Sequence, residues 1–131
     1  MKKTRVKLEI PQESSHYYAI SCNEPMHKLA WMINTELNTN FKEGEPVRVN
    51  EIDYPIQVDG SIFLIKNRHS NGKVLVQKLN NVDYVLKETG GMTDDARRNL
   101  VSELKKIDSI NAVINLDVKA VKGLVVLNNL Y

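Results

Sequence analysis

A chain of 131 residues fits one domain that buries roughly two thirds of its unfolded surface, so its core needs no metal or disulfide staple. Its 18 Lys and Arg against 16 Asp and Glu leave a formal charge of +2, which excludes a field strong enough to gather nucleic acid unaided. One cysteine, Cys22, cannot make an intramolecular disulfide, and no apolar run approaches the about 20 residues of a membrane span, so the composition points to a reducing cytoplasm.

Met1-Lys2-Lys3-Thr4-Arg5 leads into alternation rather than an apolar run, so no export signal is expected. Lys3 to Ile10 reads as a half-buried strand, with Val6, Leu8 and Ile10 on one side and Arg5, Lys7 and Glu9 on the other; Pro11 ends it. Tyr17 to Cys22 is a second strand. Asn23-Glu24-Pro25 then opens a helix over Glu24 to Asn38, whose inner stripe is Met26, Leu29, Ala30, Ile33 and Leu37. Phe41 to Pro46 is a polar connection, and Val47 to Val58 holds one or two short strands interrupted at Pro55. Asp59-Gly60 turns the chain. Ile62 to Asn67 and Lys73 to Lys78 flank Asn71-Gly72, a dipeptide that tolerates positive φ and so predicts a hairpin. Val82 to Lys87 is the next strand, Gly90-Gly91 breaks it, and Thr93 caps a second helix with Asp94 and Asp95 in its first turn. Leu100, Val101, Leu104 and Ile107 face inward there, while Arg97, Arg98, Lys105 and Lys106 face water. Ile110 to Leu116 is the strand that follows.

The short link Asp108-Ser109 returns that last strand directly under its helix, so a right-handed crossover makes it parallel to the Val82 strand. An earlier strand, helix, strand unit spans Tyr17 to about Val58. Two such units in one domain over residues 1–131 predict an α+β fold: a mainly antiparallel sheet with two helices packed on one face, a ferredoxin-like sandwich with an added hairpin. The tail Leu124-Val125-Val126-Leu127, ending in Leu130-Tyr131, is too apolar to hang in water and is expected to dock on its own domain or pair with a second copy.

Several stretches together resemble a known family. Tyr18-Ala19-Ile20-Ser21-Cys22, Lys28-Leu29-Ala30-Trp31-Met32-Ile33-Asn34, Phe63-Leu64-Ile65-Lys66-Asn67-Arg68, Val82-Asp83-Tyr84 and the helix opening Asp94-Asp95 look like the small bacterial proteins of the IPExxVDY family. The VDY half of that motif stands at Val82-Asp83-Tyr84, whereas Val76-Gln77-Lys78-Leu79 occupies the place of the IPE half, and Ile10-Pro11-Gln12-Glu13 lies too far upstream to supply it. The resemblance implies a bacterial, cytoplasmic setting and brings no established activity or ligand.

The chemistry-bearing residues form few patterns. His16, Cys22 and His27 match no compact zinc spacing, and Cys22 closes an apolar strand, so an inert buried thiol is expected and no cofactor or metal. Glu43, Glu45, Glu51, Asp53 and Asp59 lie in polar or alternating stretches and read as a solvated acidic surface. The glycines lack the spacing of a phosphate loop, and Asp94-Asp95 would repel a phosphate. Lys66, Arg68, His69 and Lys73 cluster at the hairpin, and with Lys2, Lys3, Arg5 and Lys7 they offer a surface for RNA, although no interleaved aromatic residue is present to stack bases. No DNA signature is found. Asp83 is expected to fix the Asn80-Asn81 turn by a hydrogen bond, with a site carboxylate as the functional alternative. On the first helix His27 and Trp31 stand one turn apart and off the apolar stripe, as an interface anchor would.

These features lead to a non-catalytic binding or regulatory module whose partner is a protein, or an RNA-containing assembly held at the basic hairpin. Trp31, His27, Arg68, His69 and Lys73 are its candidate surface, and Asp83 and Tyr84 its motif residues. A homodimer is the other partner considered. An ACT-like domain sensing a small molecule is the alternative, and a small enzyme using Asp83 with His16, His27 or Cys22 the third.

Overall fold

The computed structural model describes residues 15–69, 72–76, 79 and 81–116. The strand expected at residues 3–10, the basic amino-terminal residues, the apolar tail from Leu124, and Asn71 and Asn80 of the expected turns lie outside the described residues.

In chain order the elements are β1 (His16–Cys22), α1 (Met26–Leu37), β2 (Lys42–Glu43), β3 (Val47–Val49), β4 (Ile52–Tyr54), β5 (Ile56–Asp59), β6 (Ile62–Lys66), β7 (Tyr84–Glu88), α2 (Asp94–Lys105) and β8 (Ile110–Leu116). Among the described residues, six strands form one sheet in the order β2-β5-β6-β7-β1-β8, every neighbouring pair antiparallel, and β3 with β4 makes a separate hairpin. It follows that β7 and β8 run parallel with β1 between them, and β1 and β6 run parallel with β7 between them. The parallel relation expected around α2 is therefore present, split by an inserted strand. The fold is α+β, with a mainly antiparallel sheet.

Period-two alternation along β1 and β7 sends side chains to both faces. Tyr18, Ile20, Leu64, Tyr84 and Leu86 meet Leu29, Ala30 and Ile33 of α1 and Leu100 and Leu104 of α2, so both helices lie on one face. Tyr17, Ile56, Phe63, Ile65 and Val85 point the other way, against Tyr54 of β4 and against Leu75 and Val76 of the segment after β6. β7, with the sheet on both sides of it and a core on each face, is buried at every position, including Lys87 and Glu88.

Local chemistry explains most boundaries and several departures. α2 is capped as its sequence predicts, Ala96 N donating to Thr93 Oγ1 at 3.1 Å. α1 is shorter than expected at its start: Pro25 holds the N-cap position in an extended conformation and no side chain caps the helix, so Asn23 does not play that part. Asn38 ends α1 at φ 61°, a left-handed conformation that its short amide tolerates. The Val47 to Val58 stretch holds three strands rather than one or two, because Asn50 and Glu51, both at positive φ, make a two-residue turn between β3 and β4 before Pro55 separates β4 from β5. Lys42–Glu43, expected as connection, pairs with β5 at the sheet edge. Of the hairpin expected around Asn71-Gly72, the described residues show a bridge between Arg68 and Val74, with His69 N donating to Lys73 O at 2.7 Å.

Candidate functional site

Ile20 of β1 and Lys66 of β6 both pair with Tyr84, so the end of β1, the end of β6 and the start of β7 meet at one end of the sheet. The chain leaves β1 there to begin α1, and leaves β6 there to form the Arg68–Val74 bridge. Between these exits lies an open cleft of about 430 Å³, walled by Asn23, Glu24 and Pro25 before α1, by Lys66, Arg68 and His69, and by Asp83 and Tyr84. The fold thus gathers two sequence pairs, Arg68-His69 and Asp83-Tyr84, with Asn23 to Pro25 into one site.

Asp83 is its hinge. β1 bulges between Ser21 and Cys22, and the amide released there, Cys22 N, donates to Asp83 Oδ2 at 2.9 Å. Asp83 Oδ1 faces Arg68 Nε at 3.8 Å, and the Asp83 carbonyl accepts from Asn67 N. Asn80 of the turn that Asp83 is expected to fix lies outside the described residues; the Asp83 side-chain hydrogen bond to Cys22 N runs to the neighbouring strand β1. Tyr84 Oη donates to Glu24 O at 2.5 Å, fixing the chain that enters α1. Glu24 is held in turn by Lys28 Nζ at 3.4 Å and by Ser109 Oγ at 3.3 Å.

The electrostatics follow from this packing. Burial pushes the Cys22 thiol up from its ordinary 9.0; a hydrogen bond from the Glu24 backbone opposes this, while the Glu24 and Asp83 carboxylates add to it. A buried thiol among acids stays protonated and is a poor nucleophile. Burial also raises the Tyr84 phenol, helped by the nearby Cys22, Asp83 and Glu24. Among the described residues no group of three His, Cys, Asp or Glu side chains is set to hold a metal. His69 packs edge-on to the Tyr54 ring, centroids 6.0 Å apart, which ties the cleft wall to the β3–β4 hairpin.

The other candidates lie nearby or apart. His27 and Trp31 are exposed on α1, Trp31 by 64%, about 9 Å along the helix axis from the Pro25 end of the cleft. Lys73 is exposed and bonds His69 through its backbone. His16 is half-buried at the opposite end of β1, paired with Glu88 in the sheet register and remote from Cys22. Of the acidic stretch, Glu43, Glu45, Glu51 and Asp53 are exposed, and Asp59 accepts from Asn40 N, as a solvated surface requires.

A second feature was not singled out in the sequence. Between α2 and the β1–β8 pair lies an open cleft of about 540 Å³ lined by His16, Tyr18, Arg97, Arg98, Lys105 and Asn115, among others. Arg97, expected to face water, is largely buried beside it: Nη1 donates to Met92 O at 2.7 Å, Nη2 lies 3.3 Å from Asp94, and Nε lies 4.0 Å from Oε1 of the fully buried Glu88. Two signals mark this pair. Glu88 continues the Tyr84, Leu86 alternation toward the helices, and Arg97 precedes Val101 and Leu104 at helical spacing. Arg98, Lys105 and Lys106 do face water, with Arg98 paired to Asp95.

No candidate membrane-spanning helix occurs among the described residues. Comparison of the chain with protein-family models, with curated proteins and with solved structures finds no match in any of the three.

Proposed function

We propose that the chain is a binding module of a bacterial cytoplasm whose partner is a protein, engaged through the cleft at the start of α1 and the adjoining Trp31 face. The sheet order β8-β1-β7-β6, with two split strand, helix, strand units, fits a ferredoxin-like sandwich enlarged by β2 to β5, a scaffold whose sheet ends are used for binding. One observation carries the reading: the cations Lys66 and Arg68 and the carboxylates Glu24 and Asp83 line a single groove at the start of α1, the helix that also carries the exposed Trp31. Mixed charge suits a peptide surface that offers both signs, and an accessible Trp is a frequent hot-spot side chain.

The same groove argues against RNA as the main partner. Glu24 and Asp83 oppose phosphates, and Tyr84, the aromatic ring at the groove, is buried and bonded rather than open for stacking. The test is recovery of the tagged chain from its own cells beside two variants, Trp31→Ala and the pair Arg68→Glu with Lys73→Glu. A protein partner that is lost from both variants and resists ribonuclease is the expected result. Partners unchanged in both variants, or removed by ribonuclease, would end the proposal.

A further inference from the structure

The two helices begin in different ways. α2 carries its own start: Thr93 Oγ1 accepts from Ala96 N, and Asp94 and Asp95 stand in the first turn, where the helix dipole favours acids. α1 has neither device. Pro25 at its N-cap makes no side-chain cap, and its first turn holds no acid. The Pro25 carbonyl accepts from Lys28 N and Leu29 N at 3.1 and 2.9 Å, so the first turn of α1 closes on a residue that has no side-chain hold of its own. That turn nevertheless sets Met26 and Leu29 into the core and leads on to the exposed Trp31.

A helix start without a local cap depends on what holds the chain entering it. Here the holds come from one place in the sheet. Asp83 Oδ2 accepts from Cys22 N at 2.9 Å and fixes the last residue of β1, and Tyr84 Oη donates to Glu24 O at 2.5 Å and fixes the residue before Pro25. Ser109 Oγ, 3.3 Å from Glu24 Oε2, adds a contact from the turn before β8. We infer that Asp83 and Tyr84 are the positioning residues of the binding surface: from the sheet they supply the anchor that α1 lacks, and so fix the helix that carries Trp31 relative to the groove at its start. The inference deepens the binding reading and rests on it for the role of Trp31; the anchoring of α1 stands without it.

Hydrogen exchange on the full chain, alone in solution, tests the anchoring. Tyr84→Phe removes the hydroxyl and keeps the ring in the core. It should speed exchange at the Lys28 and Leu29 amides about tenfold, while Ala96 and Arg97 in the first turn of α2 stay within about twofold of the parent. Asp83→Ala should act in the same way, and Asp83→Asn, whose amide oxygen still accepts from Cys22 N, should stay close to the parent. Thr93→Ala is the mirror control, quickening Ala96 and Arg97 and leaving Lys28 and Leu29 unchanged. Equal acceleration in both helices for Tyr84→Phe would give the hydroxyl a general structural role and overturn the inference, as would unchanged exchange at Lys28 and Leu29. So would Asp83→Asn exchanging as fast as Asp83→Ala, since the effect would then belong to the charge facing Arg68. The link to binding is read separately, by recovering tagged Tyr84→Phe from its own cells beside Trp31→Ala. A partner lost from Trp31→Ala should fall at least about fivefold with Tyr84→Phe. Full retention by Tyr84→Phe would remove the positioning role and keep the binding reading. Full retention by both variants would end the binding reading and the positioning role together, with the anchoring of α1 still decided by exchange.

Discussion

On one face of the sheet, Tyr18, Ile20, Leu64 and Leu86 meet Leu29, Ile33, Leu100 and Leu104 from two helices. On the other, Tyr17, Ile56, Phe63, Ile65 and Val85 meet Tyr54, Leu75 and Val76 from a short hairpin and a loop. The two covers bury similar side chains and solve different problems. A helix satisfies its own backbone and needs only an apolar stripe to be placed. A loop has no such ladder, so its buried N–H and C=O groups need partners from elsewhere. Here one side chain supplies them. Asn67, fully buried, donates through Nδ2 to Leu79 O and Val82 O at 2.8 and 2.9 Å and accepts through Oδ1 from Val76 N at 2.9 Å. Its backbone joins in, N to Asp83 O and O from Leu75 N.

The contrast predicts that a polar residue matters more than a large apolar one. Asn67→Ala strands three backbone groups and should cost about 4 kcal/mol in urea unfolding. Hydrogen exchange at Leu75 and Val76 should accelerate by more than the global loss explains. Leu104→Ala, on the helix face, removes a fully buried side chain and should cost about 3 kcal/mol, with exchange quickened throughout. If Asn67→Ala costs less than Leu104→Ala, the loop is held by apolar burial and the contrast between the faces fails.

The same contrast explains what could be read in the chain. α1, α2 and β8 were legible because period 3.6 or period 2 marks them, β1 because Tyr17 to Cys22 is rich in residues that suit a pleated surface, and Thr93 because its cap is local. The β3–β4 turn was not, since Asn50 signals positive φ but Glu51 does not, and the left-handed pair is imposed by the pairing of Val47 with Tyr54 and Val49 with Ile52. Asn71-Gly72 carried the stronger local signal; among the described residues around it stand the Arg68–Val74 bridge and the bond from Val76 N to Asn67 Oδ1, a contact no local pattern announces. In the cleft, Arg68 and His69 were legible as a cluster and Asp83 and Tyr84 as a motif. Their meeting was not, because it depends on the bulge at Cys22 and the order of the sheet.

Buried charge sharpens the comparison further, since adjacent residues of β7 place one on each face. On the helix face, Glu88 Oε1 is buried with no hydrogen-bond partner and has Arg97 Nε at 4.0 Å. Arg97→Ala leaves that carboxylate uncompensated and should cost about 2 kcal/mol, less than for a tightly bonded pair because the contact is long. Adding Glu88→Gln removes the charge, so the double variant should be more stable than Arg97→Ala alone. A purely additive cycle would mean that Arg97 acts through its bond to Met92 O and not through Glu88.

On the opposite face, Lys87 is 2% exposed and its Nζ lies 5.7 Å above the Tyr17 ring. Burial lowers its pKa from the ordinary 10.5. In the window just below 10.5 the unfolded chain therefore holds more proton than the folded one, and this residue makes stability rise with pH. Lys87→Met keeps a side chain of similar length and removes the titrating ammonium, so the variant should lose this rise. The parent should therefore gain stability relative to the variant as pH climbs toward 10.5. Tyr17, Tyr18 and Tyr84, all raised from 10.0 chiefly by burial, act with the opposite sign: the stability they lend is complete below 10.0 and falls as pH rises beyond it. Both proteins share those phenols, so the difference between their urea midpoints from pH 7 to 10 isolates Lys87. A difference that stays constant across that range would mean that the ammonium is hydrated in the folded state, and that this face, unlike the helix face, keeps its charge in contact with water.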